Sequence, residues 1–227
     1  MLKKVYLKYI KIKMDKFLFN TLLQEFWKRY IQELKENIPL YILKNLNPKF
    51  EIRDYQKEAF SRFQCYFDNS FEWKKQPIHL LYNMATWSWK TFVMASLILE
   101  LYEKWYRNFL FFVNSTNIIE KTKDNFLNSL SSKYLFSEKI EFNGKIVKIK
   151  EVNNFSISNK EDININFTTI QALHTDLNFI RENGLSYEDF KDNKVVLLSD
   201  EAHHLNSLTK KKLNKTQEEE KNLGNLQ

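Results

Sequence analysis

The sequence predicts an α/β domain built on a parallel sheet flanked by helices and preceded by a small helical N-terminal segment. Three observations predict it. Short apolar runs of strand length, at residues 78–82, 109–113, 163–167 and 195–199, alternate with longer segments of helical period. Most of those runs are nearly continuous in apolar residues, as strands covered on both faces require. Polar motifs follow two of the runs, at the strand ends where open α/β sheets bind ligands.

With 227 residues, 43% hydrophobic and 28% charged, the chain has material for one full domain with a sizeable core and a small appendage. That excludes a disulfide-stapled miniprotein and a wholly unfolded chain. No stretch approaches the roughly 20 uncharged apolar residues of a membrane helix, and Lys3, Lys4, Lys8, Lys11 and Lys13 interrupt any signal-peptide core. The chain reads as cytoplasmic, and the lone Cys65 suits a reducing compartment while offering neither a disulfide framework nor a cysteine metal cluster. The net charge of +7 is concentrated: residues 1–49 hold 11 Lys and Arg against 4 Asp and Glu, and the remainder balances at 24 against 24. Such a basic segment suits a polyanion such as nucleic acid, and a solvated helix face explains it equally well.

Phe17, Leu18, Leu22, Leu23, Phe26, Tyr30, Ile31 and Leu34 recur at helical spacing, predicting one or two amphipathic helices between residues 16 and 46, closed near Pro48. Residues 51–67 are again helical in period, with Tyr55, Ala59, Phe60, Phe63 and Phe67 on one stripe. The first strand, 78–82, follows Pro77, and a polar turn leads from it into a long apolar helix over 90–106. The second strand, 109–113, passes through Asn114, Ser115 and Thr116 into a helix ending near Leu130. Residues 131–160 are polar and read as a looped or hairpin-like insert, after which strands 163–167 and 195–199 complete the sheet. Beyond Leu205 the chain becomes Lys-, Glu- and Asn-rich, so 208–227 is expected to be a disordered tail. The division is therefore 1–49, 50–207 and 208–227.

Two strand ends carry chemistry. After the first comes Met84-Ala85-Thr86-Trp87-Ser88-Trp89-Lys90-Thr91. A phosphate-binding loop needs a strand, a turn of converging backbone N–H groups, a lysine for the β and γ phosphates, and a hydroxyl for Mg²⁺, all at a helix N-terminus. Lys90 and Thr91 stand where those roles require. After the strand at 195–199 comes Asp200-Glu201-Ala202-His203; a carboxylate there can hold Mg²⁺ and its neighbour can orient and deprotonate an attacking water. Each motif alone has an ordinary structural explanation, as a helix start or a solvated turn. Together, in this order, they point to a nucleotide site. His79, His174 and His204 lack metal-ligand spacing and are read as structural.

These motifs resemble the first RecA-like motor domain of superfamily 2 helicases and translocases of the DEAD/DEAH type, and within them the Res subunits of type III restriction enzymes. The resemblance runs from about residue 50 to 207. Arg53-Asp54-Tyr55-Gln56 resembles the upstream adenine-reading motif, Gln56 contacting the adenine edge. Residues 112–115 and 168–171, the latter Thr168-Thr169-Ile170-Gln171, resemble segments that grip a nucleic-acid backbone, and residues 198–206 resemble the DEAH box. The resemblance implies a RecA-like P-loop NTPase fold, ATP and Mg²⁺ as cofactors, duplex DNA as partner, a modification methyltransferase subunit beside it, and ATP hydrolysis coupled to translocation. It implies that Ala85, Thr86, Trp87, Ser88, Trp89, Lys90 and Thr91 surround the phosphates, that Thr91 and Asp200 hold Mg²⁺, that Glu201 activates water, and that His203 couples the site to the motor. The alternatives are a catalytically dead nucleic-acid-binding remnant and a superfamily 2 ATPase acting on RNA or in repair.

The sequence departs from that family in two ways. Trp87 and Trp89 stand where the family has glycine, and Trp105 stands at a helix-to-strand turn where glycine is the usual cap. The chain holds 3 glycines, where average usage of about 7% gives roughly 16. Three identical replacements favour a decoding explanation, UGA being read as tryptophan in some bacterial lineages and as glycine in others. Trp27 and Trp73 carry no motif that decides their class. As written, the loop is expected to bind ATP weakly or not at all. Second, the chain ends about 20 residues after the acidic motif. It is therefore expected to be an N-terminal fragment without the second motor domain, its arginine fingers or a nuclease domain, and inactive alone.

Overall fold

The computed structural model describes residues 20–22, 28–70, 74, 76–85, 87–113, 116–179 and 183–200. In chain order the elements are α1 Lys28–Glu36, α2 Leu40–Asn45, α3 Asp54–Asp68, α4 Lys90–Glu103, β1 Asn108–Val113, α5 Thr116–Leu127, β2 Ile140–Phe142, β3 Lys145–Val147, β4 Ile149–Glu151, β5 Ile163–Thr169, α6 Ile170–Asn178, α7 Tyr187–Asp192 and β6 Val195–Ser199. They fall into two compact units, one of residues 1–38 and 53–78 and the other of 39–52 and 79–227.

In the first unit α1 packs beside α3, and Lys35 pairs with Asp54 at 3.6 Å. The expected stripe on α3 buries Phe60 and Phe63 but leaves Tyr55 exposed. Cys65 is fully enclosed, and burial pushes its thiol up to about 11, so it is an inert core residue. Lys74 Nζ donates to the carbonyls of Phe67 at 2.7 Å and Asn69 at 2.9 Å, placing a cation where the helix leaves acceptors unsatisfied.

The second unit is the α/β part. Pro39 separates the helices predicted before Pro48, since a residue preceding proline disfavours helical backbone and Pro39 itself is the N-cap of α2. The sheet is parallel, in the order β4-β5-β1-β6. Leu110, Phe111, Ile163 and Ile165 are almost completely buried, as continuous apolar strands imply. Phe111, Phe126, Phe136 and Phe167 form a tilted aromatic cluster with centroid separations of 5.6–6.2 Å. The two asparagines that alternate along β5 face the insert: Asn164 Nδ2 donates to Asn159 O at 2.7 Å and Asn166 Nδ2 to Val152 O at 2.8 Å.

The insert holds the expected hairpin, β2 with β3, turning through Asn143 and Gly144 at positive φ. It also supplies β4, three residues that extend the main sheet alongside β5 and that no sequence period announces. One expectation is corrected: residues 78–82 are not a strand. Ile78, Leu80 and Tyr82 are half-buried and His79 and Leu81 exposed, so the segment alternates as extended chain does, but it joins no ladder. Apolar length reports burial rather than pairing, and among the described residues no strand pairs with the outer edge of β6. No helix among the described residues is long and apolar enough to cross a membrane.

Candidate functional site

The loop ahead of α4 is built by its backbone. The Ser88 N–H donates to Ala85 O at 3.2 Å, closing a turn whose third residue, Trp87, has φ +66°. Trp89 then occupies the N-cap in left-handed conformation, φ 55° and ψ 49°, and Phe92 N–H donates to Trp89 O at 2.9 Å. Lys90 and Thr91 open the helix, both half-buried, and Thr86 lies outside the described residues. The helix behind them is well buried. It is apolar on nearly every side, with Phe92, Val93, Ala95, Ile98 and Leu99 buried, and Glu100, 1% exposed, accepts from Tyr41 Oη at 2.6 Å and pairs with Lys104 at 3.2 Å. A tightly curled loop before the first turn of a fixed helix is the backbone arrangement that receives an anion.

The side chains on that loop do not suit it. Left-handed backbone sets Cβ against the following carbonyl and costs roughly 1–2 kcal/mol for an L-residue, which glycine avoids. Trp87 is 88% exposed, and Trp89 is half-covered by an edge contact to Phe50 with ring centroids 4.9 Å apart. Neither indole stabilises the loop as an N-cap side chain would, since indole accepts no hydrogen bond. A phosphate needs close approach to backbone N–H groups, which glycine at 87 and 89 permits and tryptophan obstructs. Lys90, Thr91 and the backbone fold therefore fit a nucleotide; residues 87 and 89 do not.

Asp200, the first residue of the second motif, lies at the carboxyl edge of the sheet. Strand register sets Val113 beside Thr169 and Phe112 beside Ser199, so β1, β5 and β6 end together. Asp200 follows β6 directly at that edge, half-buried, while Glu201 and His203 lie outside the described residues. Thr168 is buried, and Thr169 caps α6 by accepting from Ala172 N–H at 3.1 Å. Asn114 and Ser115 are outside the described residues; His79 and His174 are exposed. Among the described residues no three His, Cys, Asp or Glu side chains gather into a metal cage. A magnesium ion on one hydroxyl, one carboxylate and phosphate oxygens does not need one.

Arg53 and Gln56 belong to the first unit. Gln56 is 3% exposed and reciprocates with Arg53: its Oε1 accepts the Arg53 backbone N–H at 2.9 Å, and its own N–H donates to Arg53 O at 2.9 Å. Gln56 is thus no ordinary exposed helix residue, because it caps α3. The Arg53 guanidinium is exposed and donates to Tyr55 Oη at 3.3 Å.

Sequence reasoning missed Asp189, a carboxylate of the second unit ringed by hydrogen-bond donors. It accepts from the backbone N–H groups of Phe155 at 2.8 Å and Ser186 at 2.9 Å, and from the hydroxyls of Ser156 at 2.9 Å and Ser186 at 3.0 Å. Burial pushes its pKa up, and the four hydrogen bonds outweigh that, leaving it below the ordinary carboxylate value. The capping pattern of Ser186 followed by Asp189 was the available signal.

Comparison with known proteins places these features. The family description "Type III restriction enzyme, res subunit" matches residues 49–224. Over 208 residues the chain is 40% identical to the probable type III restriction-modification enzyme HindVIP Res subunit of Haemophilus influenzae, covering 87% of this chain and 39% of that protein. The chain thus spans well under half the length of that relative. No solved structure matches. With a parallel RecA-like sheet, a lysine-threonine pair opening a buried helix and Asp200 at the sheet edge, the chain belongs to the Res subunit family of type III restriction enzymes, as a helicase-type domain.

Proposed function

We propose that residues 50–207 form the ATP-binding motor domain of a DNA translocase of the type III restriction kind, with residues 1–49 as a basic helical lead-in. The observation that carries this reading is the pair Lys90-Thr91 at the start of a buried helix, directly after a loop with two left-handed backbone positions. Lys90 would meet the β and γ phosphates, Thr91 and Asp200 would hold Mg²⁺, and Gln56 and Arg53 are the candidate residues for reading the base. Glu201 orients the attacking water and His203 links the site to the motor. Bound Mg·ATP supplies a transferable phosphoryl group whose hydrolysis drives movement on duplex DNA. The relative's restriction-modification name supports a modification subunit as partner, and turnover and cleavage belong to that larger assembly.

The test uses the W87G/W89G chain, in which the loop is relieved of its indoles. Calorimetric titration with Mg·ATP should give saturable binding that Lys90→Ala weakens at least tenfold, or about 1.4 kcal/mol. Equal affinity with and without the lysine would remove the phosphate-loop reading. A second reading follows from the indoles themselves: if they are native, the chain is a nucleic-acid-binding module contacted through its basic N-terminal residues. Salt-dependent DNA binding indifferent to nucleotide would single that out.

A further inference from the structure

The backbone of this protein distinguishes tryptophan from every other large residue. Six described residues have positive φ: Trp87 at 66°, Trp89 at 55°, Trp105 at 68°, Asn143, Asn183 and Gly144. Asparagine and glycine are the residues that tolerate this conformation, and for a bulky side chain it is an outlier. All three tryptophans among the described residues are outliers of this kind. No Phe, Tyr, Leu or Ile in the described residues is, although the chain holds 19 Phe and 11 Tyr.

Each tryptophan also sits in a motif with its own reason for glycine. Trp105 is the residue just past the cap of α4, with Trp105 N–H donating to Tyr102 O at 3.0 Å and Tyr106 N–H to Leu101 O at 2.9 Å. That paired closure is the Schellman arrangement, whose left-handed residue is usually glycine. Trp87 is the third residue of the Ala85–Ser88 turn, where positive φ selects glycine. Trp89 is an N-cap that caps nothing. None of the three is a core residue: Trp87 is 88% exposed, Trp105 79% and Trp89 42%. Large aromatic side chains earn their place by burial, and these have little.

We infer that residues 87, 89 and 105 are glycines in the protein made by its native cell, encoded by UGA codons which that cell reads as glycine. Independent mutation explains one such residue, but not the restriction of left-handed outliers to a single residue type across a turn, an N-cap and a C-terminal cap. The inference rests on backbone geometry and not on nucleotide binding, so it stands or fails separately from the proposed function. It assigns the phosphate loop the residues that its fold demands.

The experiment reads the gene at codons 87, 89 and 105 and, beside it, the protein purified from its native cells. Mass spectrometry of the tryptic peptide 76–90 and the Glu-C peptide 104–120 covers all three positions. The expected result is UGA at each codon and glycine at each position. A UGG codon at any of the three, or tryptophan in either peptide, would overturn the inference.

Discussion

At Trp105 the conformational demand of a helix end falls on a side chain that gives little back. Left-handed backbone there costs roughly 1–2 kcal/mol, offset only by a guanidinium of Arg107 lying 5.3 Å from the exposed ring. Glycine gives up more chain entropy on folding, so the net gain from Trp105→Gly is about 0.5–1 kcal/mol. A higher urea midpoint with an unchanged slope is the expected outcome; a lower midpoint would show that the indole supports the fold. The sequence made this position legible, because a tryptophan between an apolar helix and an apolar strand is out of place. It did not make the capping role of Gln56 legible: only the structure shows that its oxygen is taken up by the Arg53 N–H.

At the scale of elements, β1, β5, β6, α3 and α4 were readable because burial on both faces leaves continuous apolar runs and helical period survives in long segments. β4 and α7 were not, since three and six residues carry too little pattern. The stability of α7 is expected to depend on Asp189. Asp189→Ala removes four hydrogen bonds at a buried site and should lower stability by about 2 kcal/mol in urea unfolding; a loss below about 0.5 kcal/mol would contradict the capping account. Because the folded carboxyl holds its proton less tightly than the unfolded one, its contribution is complete above the ordinary carboxylate range. It is lost as pH falls through the lower folded value, and the variant should show a correspondingly flatter acid limb. The 78–82 segment makes a third case. Leu81 is 80% exposed and Leu197 on the outer edge of β6 is 58% exposed, so pairing the two would bury both. In the W87G/W89G chain with Mg·ATP, amide exchange at residues 79–82, which lead into the loop, is expected to slow; unchanged exchange would contradict a coupling between loop occupancy and the ordering of that segment.

For the whole molecule, the family match marks a helicase-type domain of the Res subunit family, and the chain spans 39% of a restriction-modification relative. Placement of the acidic motif at the carboxyl edge was legible because a polar cluster directly follows an apolar strand. Its remaining members, Glu201 and His203, lie outside the described residues. On the proposed function, the loop before α4 is a phosphate loop whose one defect is the residue type at 87 and 89. The decisive measurement is equilibrium titration of Mg·ATP, at one ionic strength, into the tryptophan-bearing chain and into W87G/W89G. Saturable binding by the glycine form is expected, with affinity at least tenfold weaker, or none, with tryptophan. Equal affinity in both, or no binding by either, would contradict it.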